Sequence, residues 1–245
     1  MSTFLEICKA VHRKLRIGDY EPGSQPSTVT GQTGDLGDVV ESVKEAWLQL
    51  QMHHRDWRWM RSGVSVTLTA NVNIITVANF QAQNSRFAHV LFYTAQSERR
   101  YANIRGDSAI TNPEMQVWFI PWQEFSGGLY TRTPAPTAAQ PMFFSEQPNR
   151  SVRLYPAPNT PSTGGNWLFS IPCRLTPQDL TADGTIPEMP AEFHNIIVWW
   201  AVDVFCRTRT NFDRLSAEAK KEVNRQLDKL AADQLPEMVE CPPYV

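Results

Sequence analysis

The sequence predicts an α+β fold, in which helices from both ends of the chain form a bundle and a large antiparallel β domain is inserted between them. Near both termini, apolar residues recur at steps of three and four, as on one face of a helix. Between them, short runs rich in β-formers are separated by Gly- and Pro-rich turns. The expected divisions are residues 1–61 and 187–235 for the helical module, 62–186 for the β-rich domain and 236–245 for an extended C-terminal tail.

Composition favours an ordinary folded protein. Hydrophobic residues make up 42% of the 245 residues, charged residues 20%, and the net charge of −2 does not call for nucleic acid or a membrane as partner. Cys8, Cys173, Cys206 and Cys241 are widely spaced, which predicts reduced thiols in a cytosolic setting. The N-terminus lacks the pattern of a signal peptide.

The stretch 193–206 is the most apolar helix candidate. Phe193, Ile197 and Trp200 fall on one face, and Val198 and Trp199 add a second apolar strip. A helix of this composition must be covered on several sides, and it is too short to span a bilayer. The stretch therefore predicts a core helix.

Three further helices are predicted around it. Thr3 and Glu6 match a capping box for a first helix. Apolar spacing from Asp35 onward predicts a second helix, and Ser216 is expected to cap a last helix that stops before Pro236. The short linker between the last two helices predicts antiparallel neighbours.

The middle of the chain predicts strands. Val64, Val66 and Leu68 alternate with polar residues, which is typical of a half-buried strand. Other predicted strands are 74–77, 87–93, 116–120, 152–155 and 167–175. The Pro- and Ala-rich stretch 133–148 is expected to be a surface excursion.

The sequence carries no catalytic signature. The glycines of residues 31–37 precede a helix, but no Gly-Lys-Ser/Thr ending follows, so a loop with a helix cap is expected instead of a phosphate site. His53 and His54 are adjacent and would diverge on a helix, which disfavours a shared metal. We therefore expect no enzyme activity, no metal and no cofactor.

Two aromatic segments allow binding interpretations. Trp57 and Trp59 lie among arginines in residues 55–61, which suits either a platform for single-stranded nucleic acid or a plug between the helices and the β region. The lack of basic excess favours the plug. Trp118, Trp122 and Trp167 could line a sugar-binding face, although aromatic residues in strands are mainly core material.

Several blocks together resemble a known family. They are VESVKEAWLQLQ (40–51) leading to DWRWM (56–60), LYPAP (154–158), PEMPAEFHNII (187–197) and the final charged helix. This layout resembles the head-to-tail adaptor (connector) proteins of tailed bacteriophages and is more distantly similar to the tail tubular protein of short-tailed phages.

The resemblance implies a structural virion protein made in the host cytoplasm and located at the portal vertex. Such proteins form a homo-oligomeric ring, usually of twelve copies, under the portal protein. The ring extends the channel for double-stranded DNA, which passes without sequence-specific binding, and it offers a platform for tail or nozzle proteins. No membrane is involved. A near-neutral chain suits this conduit, and acidic or neutral residues of the insertion or the helix ends are expected to face the lumen.

The resemblance also suggests roles for two residue sets. A terminal extension grips the portal in relatives, and the matching residues are Met238, Val239, Cys241, Pro242, Pro243, Tyr244 and Val245; a frayed terminus is the alternative. The residues expected to pack the core or the ring are Trp47, Trp57, Trp59, Phe193, Ile197, Trp199, Trp200 and Phe205. Val198 and Trp199 are expected to need a neighbouring copy to cover them.

Two other functions stay open on the sequence. One is a carbohydrate- or receptor-binding virion module that uses the β-rich domain, and the other is a virion-associated hydrolase. Saturable quenching of tryptophan fluorescence by oligosaccharides would favour the first. Turnover of cell-wall substrate would favour the second.

Overall fold

The chain forms two compact units in the computed structural model, which describes residues 2–15, 25–54, 57–94, 100–106, 114–129, 137–161, 165–207, 209 and 212–235. The helical unit comprises residues 1–60 and 177–245, and the β unit comprises residues 61–176. Residues 177–186, grouped above with the β-rich domain, belong to the helical unit. Both helices and a large, mostly antiparallel sheet are present, so the α+β class is confirmed.

The helices of the described residues are α1 (Phe4–Leu15), α2 (Gly34–His53), α3 (Val77–Gln83), α4 (Trp122–Glu124), α5 (His194–Arg207) and α6 (Asp213–Gln234). The strands are β1 (Arg61–Leu68), β2 (Ile74–Ile75), β3 (Phe87–Val90), β4 (Tyr93–Thr94), β5 (Arg100–Gly106), β6 (Met115–Phe119), β7 (Phe143–Glu146), β8 (Val152–Tyr155) and β9 (Trp167–Leu175). Short 3₁₀ turns cover Arg58–Met60 and Ala191–Phe193, and a π-helical turn covers Phe125–Leu129.

The capping box of α1 is confirmed. The Thr3 N–H donates to Glu6 Oε2 at 2.8 Å, and the Glu6 N–H donates to Thr3 Oγ1 at 3.3 Å. The predicted cap of the last helix is wrong, because α6 begins at Asp213 and Ser216 lies inside it. The Ser216 hydroxyl instead donates to Oδ1 of Asp203 at 2.7 Å. It therefore binds a buried carboxylate and does not cap the helix.

Helix α5 is the centre of the helical unit and packs against α1, α2 and α6. Its expected coverage on several sides is confirmed, since Ile196, Ile197, Ala201 and Val202 are fully buried. The expectation that Val198 needs a neighbouring copy is wrong: its own chain leaves only 5% of this residue exposed. Three helices, rather than one, cover α5.

Residues 177–190 attach to the helical unit through specific hydrogen bonds. The Phe4 N–H donates to the Thr185 carbonyl at 2.8 Å, and the Val29 N–H donates to Oδ1 of Asp183 at 2.6 Å. Farther along, the Gln178 N–H donates to Oε1 of Gln51 at 2.7 Å. This segment is therefore hydrogen-bonded to the start of α1, to the loop before α2 and to the last turn of α2.

The nine strands found among the described residues of the β unit form one sheet. Its order is β1-β9-β5-β6-β7-β8-β2, with β3 beside β9 and β4 beside β5. All neighbouring pairs are antiparallel except β6 and β7, which are parallel. The prediction of an antiparallel β domain is therefore wrong for the β6–β7 pair. The 23 residues between these two strands, 120–142, are long enough for the crossover that a parallel pair requires.

The sequence prediction misses β5, β7 and α3. Residues 143–146 were expected in a surface excursion, but β7 lies between β6 and β8 in the sheet, with Phe144 and Ser145 fully buried. Helix α3 replaces the end of the predicted strand 74–77, because Thr76 and Asn79 form a capping box that starts a helix there. One side of the sheet is the core: Val64, Phe169 and their neighbours at alternate positions face it.

Candidate functional site

The residues predicted for core or ring packing all lie in the helical unit. Trp47, Trp57, Ile197 and Phe205 are at most 1% exposed, and Trp59, Phe193, Trp199 and Trp200 are partly buried against the same core. The predicted portal-binding residues, from Met238 to Val245, lie outside the described residues, as do Arg55 and Asp56.

Trp57 is a core residue and not a stacking platform. Its indole Nε1 donates to the Leu50 carbonyl at 3.0 Å, and its ring stacks on that of Trp59 with 4.5 Å between centroids. Because Trp57 is 0% exposed, no nucleic-acid base can reach its face. The single-strand interpretation is therefore wrong for this residue.

Trp199 and Trp200 both contact polar side chains of their own chain. The Lys14 ammonium lies 3.7 Å from the ring centroid of Trp199, and Nε1 of Trp200 donates to Oε1 of Gln49 at 2.9 Å. Both residues are partly exposed. They therefore offer only limited surface to a neighbouring molecule.

A buried carboxylate, which sequence reasoning missed, joins α5 to α6. Asp203 is 3% exposed and accepts hydrogen bonds from Arg207 and from Ser216, with the Lys220 ammonium 3.9 Å away. Burying a carboxylate is costly unless hydrogen bonds and opposite charge compensate, as they do here. The signal available in the sequence was an acid inside an apolar helix with an arginine four residues later.

A second ion-pair cluster ties the α5–α6 connection to α2. Nη2 of Arg209 lies 2.6 Å from Oδ1 of Asp35 and 2.7 Å from Oδ2 of Asp38. These carboxylates raise the pKa of Arg209, chiefly by accepting hydrogen bonds from it. The guanidinium also lies 4.4 Å from the ring centroid of Phe205. Asp35, in the first turn of α2, also suits the positive end of the helix dipole.

His194 is a buried histidine held in its neutral form. Its Nε2 lies 3.1 Å from the Met189 carbonyl and so carries the proton, while Nδ1 accepts from the Ser2 N–H at 3.3 Å. Burial lowers the pKa of His194 below its ordinary value of 6.5. Burial likewise lowers the pKa values of His12 and His53.

We expect the helical unit to lose stability as the pH falls below about 6.5. The unfolded chain then binds a proton that folded His194 resists, so stability is full above the unfolded pKa and declines from there toward the lower folded pKa. Thermal unfolding followed by ellipticity at 222 nm should give a lower Tm at pH 5.5 than at pH 7.5. His194→Gln should reduce that difference, and an unchanged difference would show that other groups cause it.

The outer surface of α2 borders a groove formed by two adjoining cavities of about 560 and 480 Å³. Both cavities are lined by Glu41, Lys44 and Thr181. The remaining charged residues of the lining are Asp38, Glu45 and Asp179, so acids outnumber bases four to one. We call this the α2 groove.

Apolar and unpaired groups accompany the α2 groove. Leu48, which lines it, is 42% exposed, and Met52, one turn farther along α2, is 66% exposed. Trp47 also lines the groove, and its buried Nε1 has no hydrogen-bond partner among the described residues. A buried donor without an acceptor costs about 1–3 kcal/mol.

The side of the sheet opposite the core carries a row of aromatic residues across five strands. The register pairs Tyr93 with Tyr101, Tyr101 with Trp118, Trp118 with Phe143 and Phe143 with Tyr155. Tyr93 is 38% exposed and the other four are half-buried. At a spacing of about 4.8 Å between strands, the row is roughly 19 Å long.

Arginines share this outer face of the sheet. Arg61, Arg105, Arg153 and Arg174 alternate with core-facing residues on their strands, which places them on the outer face with the aromatic row. Glu114, at the edge of this face, accepts a hydrogen bond from Nδ2 of Asn103 at 3.1 Å. The outer face is therefore aromatic and mainly basic.

The three tryptophans of the predicted sugar-binding face do not share a face. Trp167 belongs to the core of the β unit, and its Nε1 donates to Oδ1 of Asn159 at 3.2 Å. Trp118 lies on the outer face, while Trp122 stacks with Phe125 at 5.9 Å. The grouping of these three residues is wrong.

Charge is segregated between the two units, a signal that the sequence reasoning missed. Residues 61–176 contain nine arginines, no lysine and five acidic residues, a net charge of +4. The rest of the chain has a net charge of −6, since the whole chain is at −2. The nearly neutral chain therefore consists of a basic β unit and an acidic helical unit.

The described part of the chain shows no group of three or more His, Cys, Asp or Glu residues that could hold a metal ion. Within it, Cys8, Cys173 and Cys206 are buried and free, and burial raises the pKa of Cys8 to about 12 and that of Cys206 to about 11. Such thiols are weak nucleophiles. Across the described ranges, no helix has the length and apolar character needed to cross a membrane.

Comparison with known proteins gave one result that covers nearly the whole chain. The family model described as SU10 adaptor protein matches residues 2–239. No curated protein matches the chain.

Proposed function

The chain belongs to the SU10 adaptor protein family, and from that membership we propose that it is a structural head-to-tail adaptor of a bacteriophage virion, without enzymatic activity. The match over residues 2–239 carries this proposal, because it spans both units. The buried, high-pKa thiols agree with a role in packing.

The proposed assembly is a ring, with twelve copies as the expected number, that binds the portal on one side and tail or nozzle proteins on the other. In this proposal the helices from both ends form one bundle and the β domain is an insertion within it. The discontinuous helical unit, with α5 packed against α1, α2 and α6, supports that arrangement. The more distant similarity to the tail tubular protein belongs to the same proposal.

Double-stranded DNA passes through the lumen of the proposed ring. A strongly basic lining would hold the phosphates by releasing their counterions, which opposes sliding. The net charge of −6 on the helical unit supports a lumen wall of acidic and neutral side chains from that unit.

Electron microscopy of the full-length chain mixed with its portal protein tests the proposal. We expect end views with a ring attached to the portal, and their rotational symmetry gives the copy number. Portal particles that carry no ring at saturating concentrations of the chain would contradict the proposed function.

Removal of residues 236–245 should leave both units folded and weaken portal binding. The segment PEMVECPPYV is rich in proline, and its apolar side chains, such as Met238, Val239 and Tyr244, can act as anchors on another protein. Portal binding can be measured by co-sedimentation, with the circular dichroism spectrum and Tm as controls for folding. Normal portal binding by the truncated chain would refute the tail's role.

A further inference from the structure

The composition of the outer face of the β unit matches a protein interface better than a nucleic-acid surface. Interfaces are enriched in Tyr, Trp, Phe and Arg and depleted in Lys, and the outer face combines an aromatic row with arginines in a unit that contains no lysine. Duplex DNA keeps its bases stacked inside, so it offers no base faces to rings such as those of Tyr101 and Trp118. A partner protein with acidic and apolar side chains fits this surface.

The α2 groove has the complementary properties. Four of its five charged lining residues are acidic, and of these Asp38 and Glu41 already pair with Arg209 and Lys44. Glu45 receives only a neutral donor, Nε2 of Gln49 at 2.7 Å, and no ion pair involves it among the described residues. The groove thus keeps acidic groups that an arginine can approach from outside.

Exposed apolar surface adds to this complementarity. Leu48 and Met52 extend the groove with exposed apolar side chains. Charge and apolar contact therefore occur together on one side of α2.

We infer that the outer face of the β unit of one copy packs on the α2 groove of the next copy. This inference rests on the proposed ring and assigns the two surfaces that meet in it. Because the two surfaces differ, each copy uses one surface to bind one neighbour and the other surface to bind its second neighbour. Such a heterologous contact forms a ring when the rotation between copies closes.

Reversal of one charge on each surface tests the pairing. Arg105→Glu on the outer face and Glu45→Arg in the α2 groove should each lower self-association by at least about tenfold, because like charges then meet across the contact. An equimolar mixture of the two variants should restore assembly. In rings where the two variants alternate, every contact is either the original pair or its reversal, whereas contacts between copies of the same variant are repulsive.

Ring occupancy on the portal, counted by electron microscopy, and sedimentation velocity of the full-length chain are the measurements. Arg150→Glu, in the turn between β7 and β8, and Glu218→Arg, on the exposed side of α6, make the same charge changes elsewhere and should assemble like the wild type. Circular dichroism verifies that all four variants are folded.

The outcomes separate this inference from the proposed function. A wild-type chain that forms no ring refutes both. A wild-type ring that is unchanged in both variants, or a mixture that fails to recover, refutes the pairing of surfaces alone. If Arg105→Glu instead weakens DNA binding in a filter assay and leaves the ring intact, the outer face contacts nucleic acid and the inference is overturned.

Discussion

Replacing Trp57 with alanine should lower the free energy of unfolding of the helical unit by about 3–5 kcal/mol, the range for large buried aromatic residues. Trp57 is 0% exposed, stacks on Trp59 and gives its Nε1 hydrogen to the Leu50 carbonyl. The substitution opens a cavity and leaves a buried acceptor unpaired. Urea unfolding followed by ellipticity at 222 nm measures the loss, because the long helices all lie in this unit.

Two control variants separate the causes of that loss. Trp57→Phe keeps most of the ring and removes the hydrogen bond, so it should cost roughly 1–2 kcal/mol. Trp200→Ala should cost less than Trp57→Ala, because Trp200 is only half-buried and not the fully buried residue that its helical position suggests. Equal losses for Trp57→Ala and Trp200→Ala would contradict this account of the core.

Replacing Asp203 with alanine should destabilise the helical unit by about 1.5–3 kcal/mol, the range for hydrogen bonds to charged groups. The variant removes the acceptor shared by Arg207 and Ser216, and with it the hydrogen bond between α5 and α6. Removal of one partner of a buried pair can cost more, but the Arg207 side chain is 51% exposed and can be hydrated again. Thermal and urea unfolding should give the same rank order of variants.

Ser216→Ala, which removes a single bond to the carboxylate, should cost about 1 kcal/mol. Asp203→Asn should fall between the two, since an amide oxygen still accepts from Ser216 but no longer attracts Arg207. Glu222→Ala is the control, because its ion pair with Arg225 lies on the surface. A loss from Glu222→Ala as large as that from Asp203→Ala would rule out a special role for the buried carboxylate.

The sequence predicts the long helices well because their apolar spacing is set by the core they pack against. The capping box at Thr3 and the strands 152–155 and 167–175 are confirmed for the same reason: the local pattern and the tertiary environment agree. Where one buried residue carries a short element, as Phe80 does in α3, the pattern is too weak to predict it.

The candidate surfaces are harder to predict because they are defined by neighbours distant in sequence. The aromatic row exists only through the pairing of five strands, one of which, β7, lies in a segment whose composition suggests a loop. The α2 groove needs residues 178–181 beside α2, and Asp203 needs a helix that begins at Asp213. The segregation of charge, by contrast, is visible in the sequence once the boundary near residue 61 is drawn.

The split of the helical unit between residues 1–60 and 177–245 has a consequence for the order of events during synthesis. Helices α1 and α2 leave the ribosome early but have no α5 to pack against until the last quarter of the chain is made. The β unit, continuous from 61 to 176, can complete its sheet in the meantime. Nascent chains should therefore expose the apolar faces of α1 and α2 until translation nears its end. Chaperones that bind these faces should act mainly in that period.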